Sequence, residues 1–294
     1  MDTAKTSLEQ FRAKHGQLAY NALMKAVGTG GKKQQVPTNS GLSQAARKLM
    51  QPQQSALTTA IERKPRVRGS ANVPLNDHGI AEADQRGRQF AAKGGLDMIA
   101  TSPLDRARNT AVAISRHTGS PIHVDDRLMP WKLGIFEGEP VDAVKHYVAK
   151  LANDHPDDKV PGMSAYSTAP GESFNDFKKR YIGGFLAPMM EAHAQDPRGK
   201  IGVLTHLRDI LAAKSWIENG ARKDLAFNHH DINYESKTSP EEKPASVFRV
   251  HPEGGKWNFE DVDMEKPEPL AAGIYLIRHG ETQWNGGSGT GQTS

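Results

Sequence analysis

The chain has 294 residues, enough for one large or two small domains with a buried core, so peptide hormones and disulfide knots are excluded. It contains no cysteine, which removes disulfides, thiolate nucleophiles, iron-sulfur clusters and Cys-based zinc sites, and its 36% apolar and 24% charged residues describe a folded part diluted by flexible sequence. The net charge of +4 hides an asymmetry: residues 1–68 carry 12 Lys/Arg against 3 Asp/Glu, leaving 26 basic and 31 acidic residues in the remainder.

No apolar run approaches the ~20 residues that span a bilayer, and the opening MDTAKTSLEQ has neither a basic n-region nor an apolar core, so the expectation is a cytoplasmic protein with no membrane partner. Leu8, Phe11, His15, Leu18, Ala22 and Val27 recur at three-to-five-residue spacing and predict an amphipathic helix over 7–27. Residues 28–62 read as linker, Gly-, Pro- and Gln-rich, with a short helix over 44–50. Residues 1–64 are thus a basic extension that is part helix and part linker. Its charge suits an acidic partner or nucleic acid, and equally a solvated tail.

From Pro65 the pattern becomes helices alternating with short β-branched runs, as in a layered α/β domain around a mainly parallel sheet. Strands are expected over 96–100, 122–124, 201–205, 246–250 and 274–277, and helices over 77–92, 103–118, 173–193 and 207–219. Pro103 suits a first helical position and Ser173 an N-cap. Residues 265–272, with Pro267 and Pro269, suit a spacer, and the Gly-rich residues 286–294 a flexible tail.

The sharpest motif is Gly273-Ile-Tyr-Leu-Ile-Arg278-His279-Gly280-Glu281-Thr282-Gln283-Trp284-Asn285, an apolar strand emptying into a cation and an imidazole. In α/β proteins ligands bind at the carboxyl ends of strands. The run resembles the first motif of the histidine phosphatase superfamily, which includes phosphoglycerate mutase-like proteins. Five further blocks resemble that family: Arg66-Val-Arg68-Gly69 through Gly79, Thr101-Ser102 through Ala111 with Arg106, Leu133-Gly134 through Glu137-Gly138, Gly171-Glu172-Ser173-Phe174, and Val203-Leu204-Thr205-His206. In the family the nucleophile motif opens the domain, whereas here it follows the other blocks. The resemblance therefore implies a circularly permuted three-layer α/β sandwich over residues 65–285, with the spacer joining the family's last strand to its first.

The resemblance implies a metal-independent phosphatase without a cofactor, acting through phosphohistidine on a phosphorylated small molecule or phosphopeptide. It makes His279 the nucleophile, Arg278 and Arg106 the phosphoryl-binding forks, and His206 and Asn285 further donors, with Arg66 at the pocket edge. The relatives' acidic residue falls on Pro130, which has no proton to give. Asp209, three residues after His206, is the favoured replacement acid and Glu137 the second. The other reading of Asp209 is a helix-capping carboxylate. His229, His230 and Asp231 lack a third ligand at recognisable spacing and read as a polar loop. Two alternatives stand beside the phosphatase: mutase-type phosphoryl transfer, and a non-catalytic structural or tethering protein that keeps the fold.

Overall fold

The structure is a computed structural model that describes residues 65–225 and 243–285. The expected helices over 7–27 and 44–50, the linker over 28–62, the His229-His230-Asp231 cluster and the 286–294 tail lie outside the described residues.

In chain order the elements are α1 (Asp77–Ala92), β1 (Met98–Thr101), α2 (Asp105–Thr118), β2 (Ile122–Val124), α3 (Val141–Asp154), α4 (Phe174–Lys178), a π-helical stretch (Lys179–Leu186), α5 (Ala187–Gln195), β3 (Lys200–Thr205), α6 (Leu207–Glu218), β4 (Val247–Glu253), β5 (Lys256–Asp261) and β6 (Gly273–Arg278). The sheet order is β2-β1-β3-β6-β4-β5. Strands β2, β1, β3 and β6 run parallel, while β4 is antiparallel to both β6 and β5.

The period of two along β6 explains its central place. Ile274 and Leu276 join a core formed with α3, the α4–α5 rod and α6, whereas Tyr275 and Ile277 join a second core with Phe90 of α1 and Ala107, Ala111 and Ile114 of α2. A strand buried on both faces cannot sit at a sheet edge, and the two cores make three layers. The fold is thus the expected α/β class with a mostly parallel six-stranded sheet.

Local chemistry sets the boundaries. Asn76 caps α1, its side chain accepting from the Gly79 amide at 2.8 Å, and Ser173 caps the rod by accepting from the Asp176 amide at 3.0 Å. Pro103 is not the first helical residue, since α2 starts at Asp105 with Leu104 at the cap. Two elements were absent from the sequence reading. Helix α3 buries Val144, Tyr147, Val148 and Leu151 on one face, and β5 pairs with β4 as a hairpin across Gly254-Gly255.

The spacer before β6 is pinned rather than loose. Lys93 Nζ donates to the carbonyls of Lys266 and Glu268, and the Leu270 amide returns a bond to the Lys93 carbonyl at 3.1 Å. Arg249 donates to the Ala272 carbonyl through Nε at 3.0 Å and Nη2 at 2.7 Å. These bonds fix the register with which β6 enters the sheet, and hence where its carboxyl end delivers the next residues.

Candidate active site

The carboxyl ends of β1, β3 and β6 and the amino ends of α2 and α6 meet at one cavity. Strand β6 delivers Arg278 and then His279, whose amide donates to the Thr205 carbonyl at 3.3 Å at the end of β3. The following turn demands glycine, because a Cβ on Gly280 would lie 2.4 Å from the Gly79 carbonyl oxygen at the start of α1. His279 Nδ1 lies 2.7 Å from the Gly280 carbonyl. A carbonyl only accepts, so Nδ1 carries the proton and Nε2 keeps its lone pair.

His206, the cap residue of α6, places its ring centroid 5.2 Å from that of His279. Its Nδ1 accepts from Arg106 Nε at 3.3 Å, which assigns the ring proton to Nε2, 2.9 Å from Ser102 Oγ. Arg106, in the first turn of α2, also donates Nη1 to the Ala71 carbonyl at 2.6 Å and Nη2 to the Gly69 carbonyl at 2.9 Å. One guanidinium therefore ties together the strand-end histidine and the 69–71 segment. Burial and then the Arg106 charge hold both imidazoles well below their ordinary value, so both are neutral at pH 7. Burial pushes the Arg106 guanidinium down to about 9, still cationic at neutral pH.

The structure thus brings His279, His206, Arg106 and Arg66 to the cavity wall, and it moves four other expected residues away from it. Arg278 is buried at the end of β6 and is not among the lining residues, and its charge helps to hold both imidazoles low. Asn285 lies outside the lining, where its Oδ1 takes hydrogen bonds from the Thr282 amide at 3.1 Å, Thr282 Oγ1 at 2.7 Å and Arg68 Nη1. It holds the guanidinium of Arg68, which does line the cavity and was missed as a site residue. The signal was the pair Arg66 and Arg68 around the buried Val67, two cations at a spacing of two in the segment that opens the domain.

Glu137 does not reach the cavity either. It is fully buried, with Oε1 accepting from the Ser70 amide at 2.7 Å and the Leu133 amide at 2.9 Å, and Oε2 from Ser70 Oγ at 2.9 Å. It staples the 66–72 segment to the 133–138 turn, which is a structural task. Asp209 is likewise fully buried and outside the lining. Its Oδ2 accepts from Thr205 Oγ1 at 2.5 Å and the His206 amide at 3.3 Å, completing a capping box at the start of α6. This is the geometry of the capping reading.

Burial raises the Asp209 carboxyl from 3.8 to about 7. A folded value above the unfolded one means that the proton-bound form is favoured by folding, so this contribution is present below pH 3.8 and is lost as pH rises toward 7. Asp209→Asn keeps a cap acceptor without the charge. Its stability relative to the parent is expected to improve by a few kcal/mol between pH 4 and pH 8. Urea titrations at the two pH values check this, and a pH-independent difference would contradict it.

The remaining wall comes from Pro130, Trp131, Leu133 and Leu207, from Val141, Lys145 and Val148 of α3, and from Arg208 of α6. Five cationic residues line the cavity and, among the described residues, no carboxylate does. Also among the described residues, there is no group of three or more His, Asp or Glu side chains that could hold a metal ion.

Residues 58–262 match the family model of the histidine phosphatase superfamily (branch 1). A probable phosphoglycerate mutase of Klebsiella pneumoniae is 30% identical over 133 residues, 44% of this chain and 57% of that protein. An uncharacterized phosphatase of Bacillus subtilis is 28% identical over 155 residues, covering 53% of this chain and 70% of that one. The solved phosphoglycerate mutase of Bacillus anthracis aligns with a TM-score of 0.49 at 22% identity, covering 71% of this chain and 88% of the other. The chain spans little more than half the length of the first of these relatives. With a family model matched over more than half its length, this chain belongs to the histidine phosphatase superfamily, branch 1.

Proposed function

We propose that the chain is a phosphatase that hydrolyses phosphomonoesters, activated ones above all, through a phosphohistidine on His279. The observation that carries this reading is the tautomer of His279: with Nδ1–H held by the Gly280 carbonyl, Nε2 has a free lone pair in a cavity shared with Arg68, Arg106 and His206. In the first step a bond forms between Nε2 and phosphorus while the ester P–O bond breaks, and the leaving oxygen departs with the electron pair. In the second step water adds to phosphorus and the N–P bond breaks, releasing inorganic phosphate and restoring the imidazole. Arg68 and Arg106 neutralise charge on the phosphoryl oxygens, and His206, held between Arg106 Nε and Ser102 Oγ, orients the Arg106 guanidinium beside His279.

Among the described residues no carboxylic acid lines this cavity. Pro130 lines the cavity where relatives carry a carboxylate, and Asp209 and Glu137 are buried behind it. General acid assistance contributes roughly 10² to 10⁴ in rate and matters most for poor leaving groups. Aryl and acyl phosphates, which leave without a proton, are therefore the preferred class.

We also infer that the domain is circularly permuted. The family match ends before β6, yet β6 lies mid-sheet between β3 and β4, and the Arg66 amide donates to the Trp284 carbonyl at 3.1 Å. Residues 66–76 run beside 281–285, including an isolated bridge between Leu75 and Thr282, as they would if one chain continued into the other.

Rapid quenching of the protein with an aryl phosphate is expected to trap phosphate on the peptide that carries His279, labile in acid and stable in alkali. Steady turnover without that species at any quench time would defeat the mechanism. The mutase reading predicts the same phosphoenzyme with transfer to a second hydroxyl, so product analysis with an added diol separates the two. The tethering reading predicts no phosphoenzyme at all.

A further inference from the structure

Helix α1 grips the turn that follows the nucleophile. Gly79 packs so closely on this turn that a Cβ there would collide with the Glu281 carbonyl oxygen, which itself accepts from the Asn76 amide at 3.1 Å. Glu82 stands three residues on, on the same face of the helix, and its Oε2 accepts from the Glu281 amide at 2.8 Å. That amide belongs to the peptide unit whose carbonyl, on Gly280, accepts from His279 Nδ1 at 2.7 Å. In a trans peptide the N–H and C=O point in opposite directions, so a carboxylate that anchors the one aims the other. From a second side the Gly280 amide donates to Thr110 Oγ1 at 3.3 Å, and that hydroxyl donates to the Arg106 carbonyl at 2.8 Å. These partners from α1 and α2 fix a residue that has no Cβ to limit its own rotation.

We propose that Glu82 is a positioning residue for the nucleophile: by holding the Glu281 amide it keeps the Gly280 carbonyl on His279 Nδ1, and with it the ring proton on Nδ1 and the lone pair on Nε2. A carboxylate bonded to the amide N–H also polarises the carbonyl across the same peptide, which strengthens its bond to the imidazole. Glu82 is not among the residues that line the cavity, so it acts through the peptide. Burial pushes its carboxyl up, and the Glu281 amide is the largest of the influences that favour its charged form, ahead of His78 and Arg278. His78 Nδ1 stands 3.6 Å from Oε1, the oxygen that the amide leaves over. The consequence for turnover rests on the phosphatase reading, whereas the tautomer does not.

The test reads the ring directly. Nitrogen NMR spectra of the full chain, isotopically labelled at histidine, separate a protonated from an unprotonated ring nitrogen, and the His279 signals are those missing from His279→Gln. The parent protein is expected to show a single Nδ1–H tautomer. In Glu82→Leu and Glu82→Ala, which offer no acceptor, His279 is expected to become a mixture of both tautomers. Their kcat for an aryl phosphate is expected to fall about tenfold, the scale of one charge-assisted contact, with KM changed by less than about twofold. Glu82→Gln, whose side-chain oxygen can still accept, is expected to return the Nδ1–H tautomer and most of the kcat. Asn76→Ala is the control for a loosened helix: it removes the α1 cap and should lower the melting temperature without changing the ring pattern. A single Nδ1–H tautomer preserved in the folded Leu and Ala variants, a Gln variant as impaired as they are, or the same mixture in Asn76→Ala would overturn the proposal. Failure of the phosphatase reading shows separately, as absence of His279-dependent phosphate release by the parent protein, and leaves the tautomer to decide the part played by Glu82.

Discussion

Replacement of His279 by alanine is expected to lower aryl phosphate turnover by about 10³-fold or more, while far-ultraviolet circular dichroism and the cooperative melt persist. The size follows from the proposed covalent route: without Nε2 there is no intermediate, and the remaining cations can only orient a phosphoryl group for direct attack by water. The fold is expected to survive because, among the described residues, the hydrogen bond of this ring runs to the adjacent Gly280 carbonyl, so its loss breaks no hydrogen bond between distant segments. His279→Gln, which keeps a polar side chain of similar volume, should be equally inactive. A folded His279→Ala protein that retains a tenth of the activity would refute the assignment of the nucleophile.

Replacing Arg106 by lysine is expected to lower kcat/KM for an aryl phosphate by about 10²- to 10³-fold and to lower the melting temperature as well. The charge is retained, so the loss measures geometry. An ammonium cannot donate at once to the Ala71 carbonyl, the Gly69 carbonyl and His206 Nδ1, the three partners that the planar fork reaches. Leaving a buried carbonyl unsatisfied costs about 1 to 3 kcal/mol, and removing a preorganised donor from a transition-state site costs about 3 to 4 kcal/mol. Arg68→Lys provides the contrast, because Arg68 is anchored to side chains that can adjust, Thr282 Oγ1 and Asn285 Oδ1. It should lose activity with a smaller change in melting temperature. Equal thermal losses in both variants would show that Arg106 has no special part in holding the 69–71 segment.

These roles divide between what one chain segment can state and what only packing decides. The helix expected over 77–92 and the apolar run over 274–277 stated α1 and the core of β6, because both are local properties of the chain. The Arg278-His279-Gly280 run, Arg106 and His206 likewise stood out, since strand ends and helix starts are where chemistry collects in a layered fold. Helix α3 was passed over although Val144, Tyr147, Val148 and Leu151 carry the helical spacing, and with it Lys145 was lost from the site.

Which way a carboxylate or an amide faces is a different kind of fact. Asp209 and Glu137 lie close in sequence to site residues, as an acid should, yet the amides of His206, Ser70 and Leu133 needed acceptors more than the cavity needed a donor. Asn285 was expected at the phosphoryl group, and its oxygen is instead claimed by the neighbouring Thr282 and by Arg68, which arrives from the far end of the chain. Hydrogen-bond demand inside a packed domain is set by groups far apart in the chain. The sequence by itself therefore determined which residue types the proposed phosphoryl chemistry could draw on, and the tertiary structure alone decided which of them face the cavity and which hold the others in place.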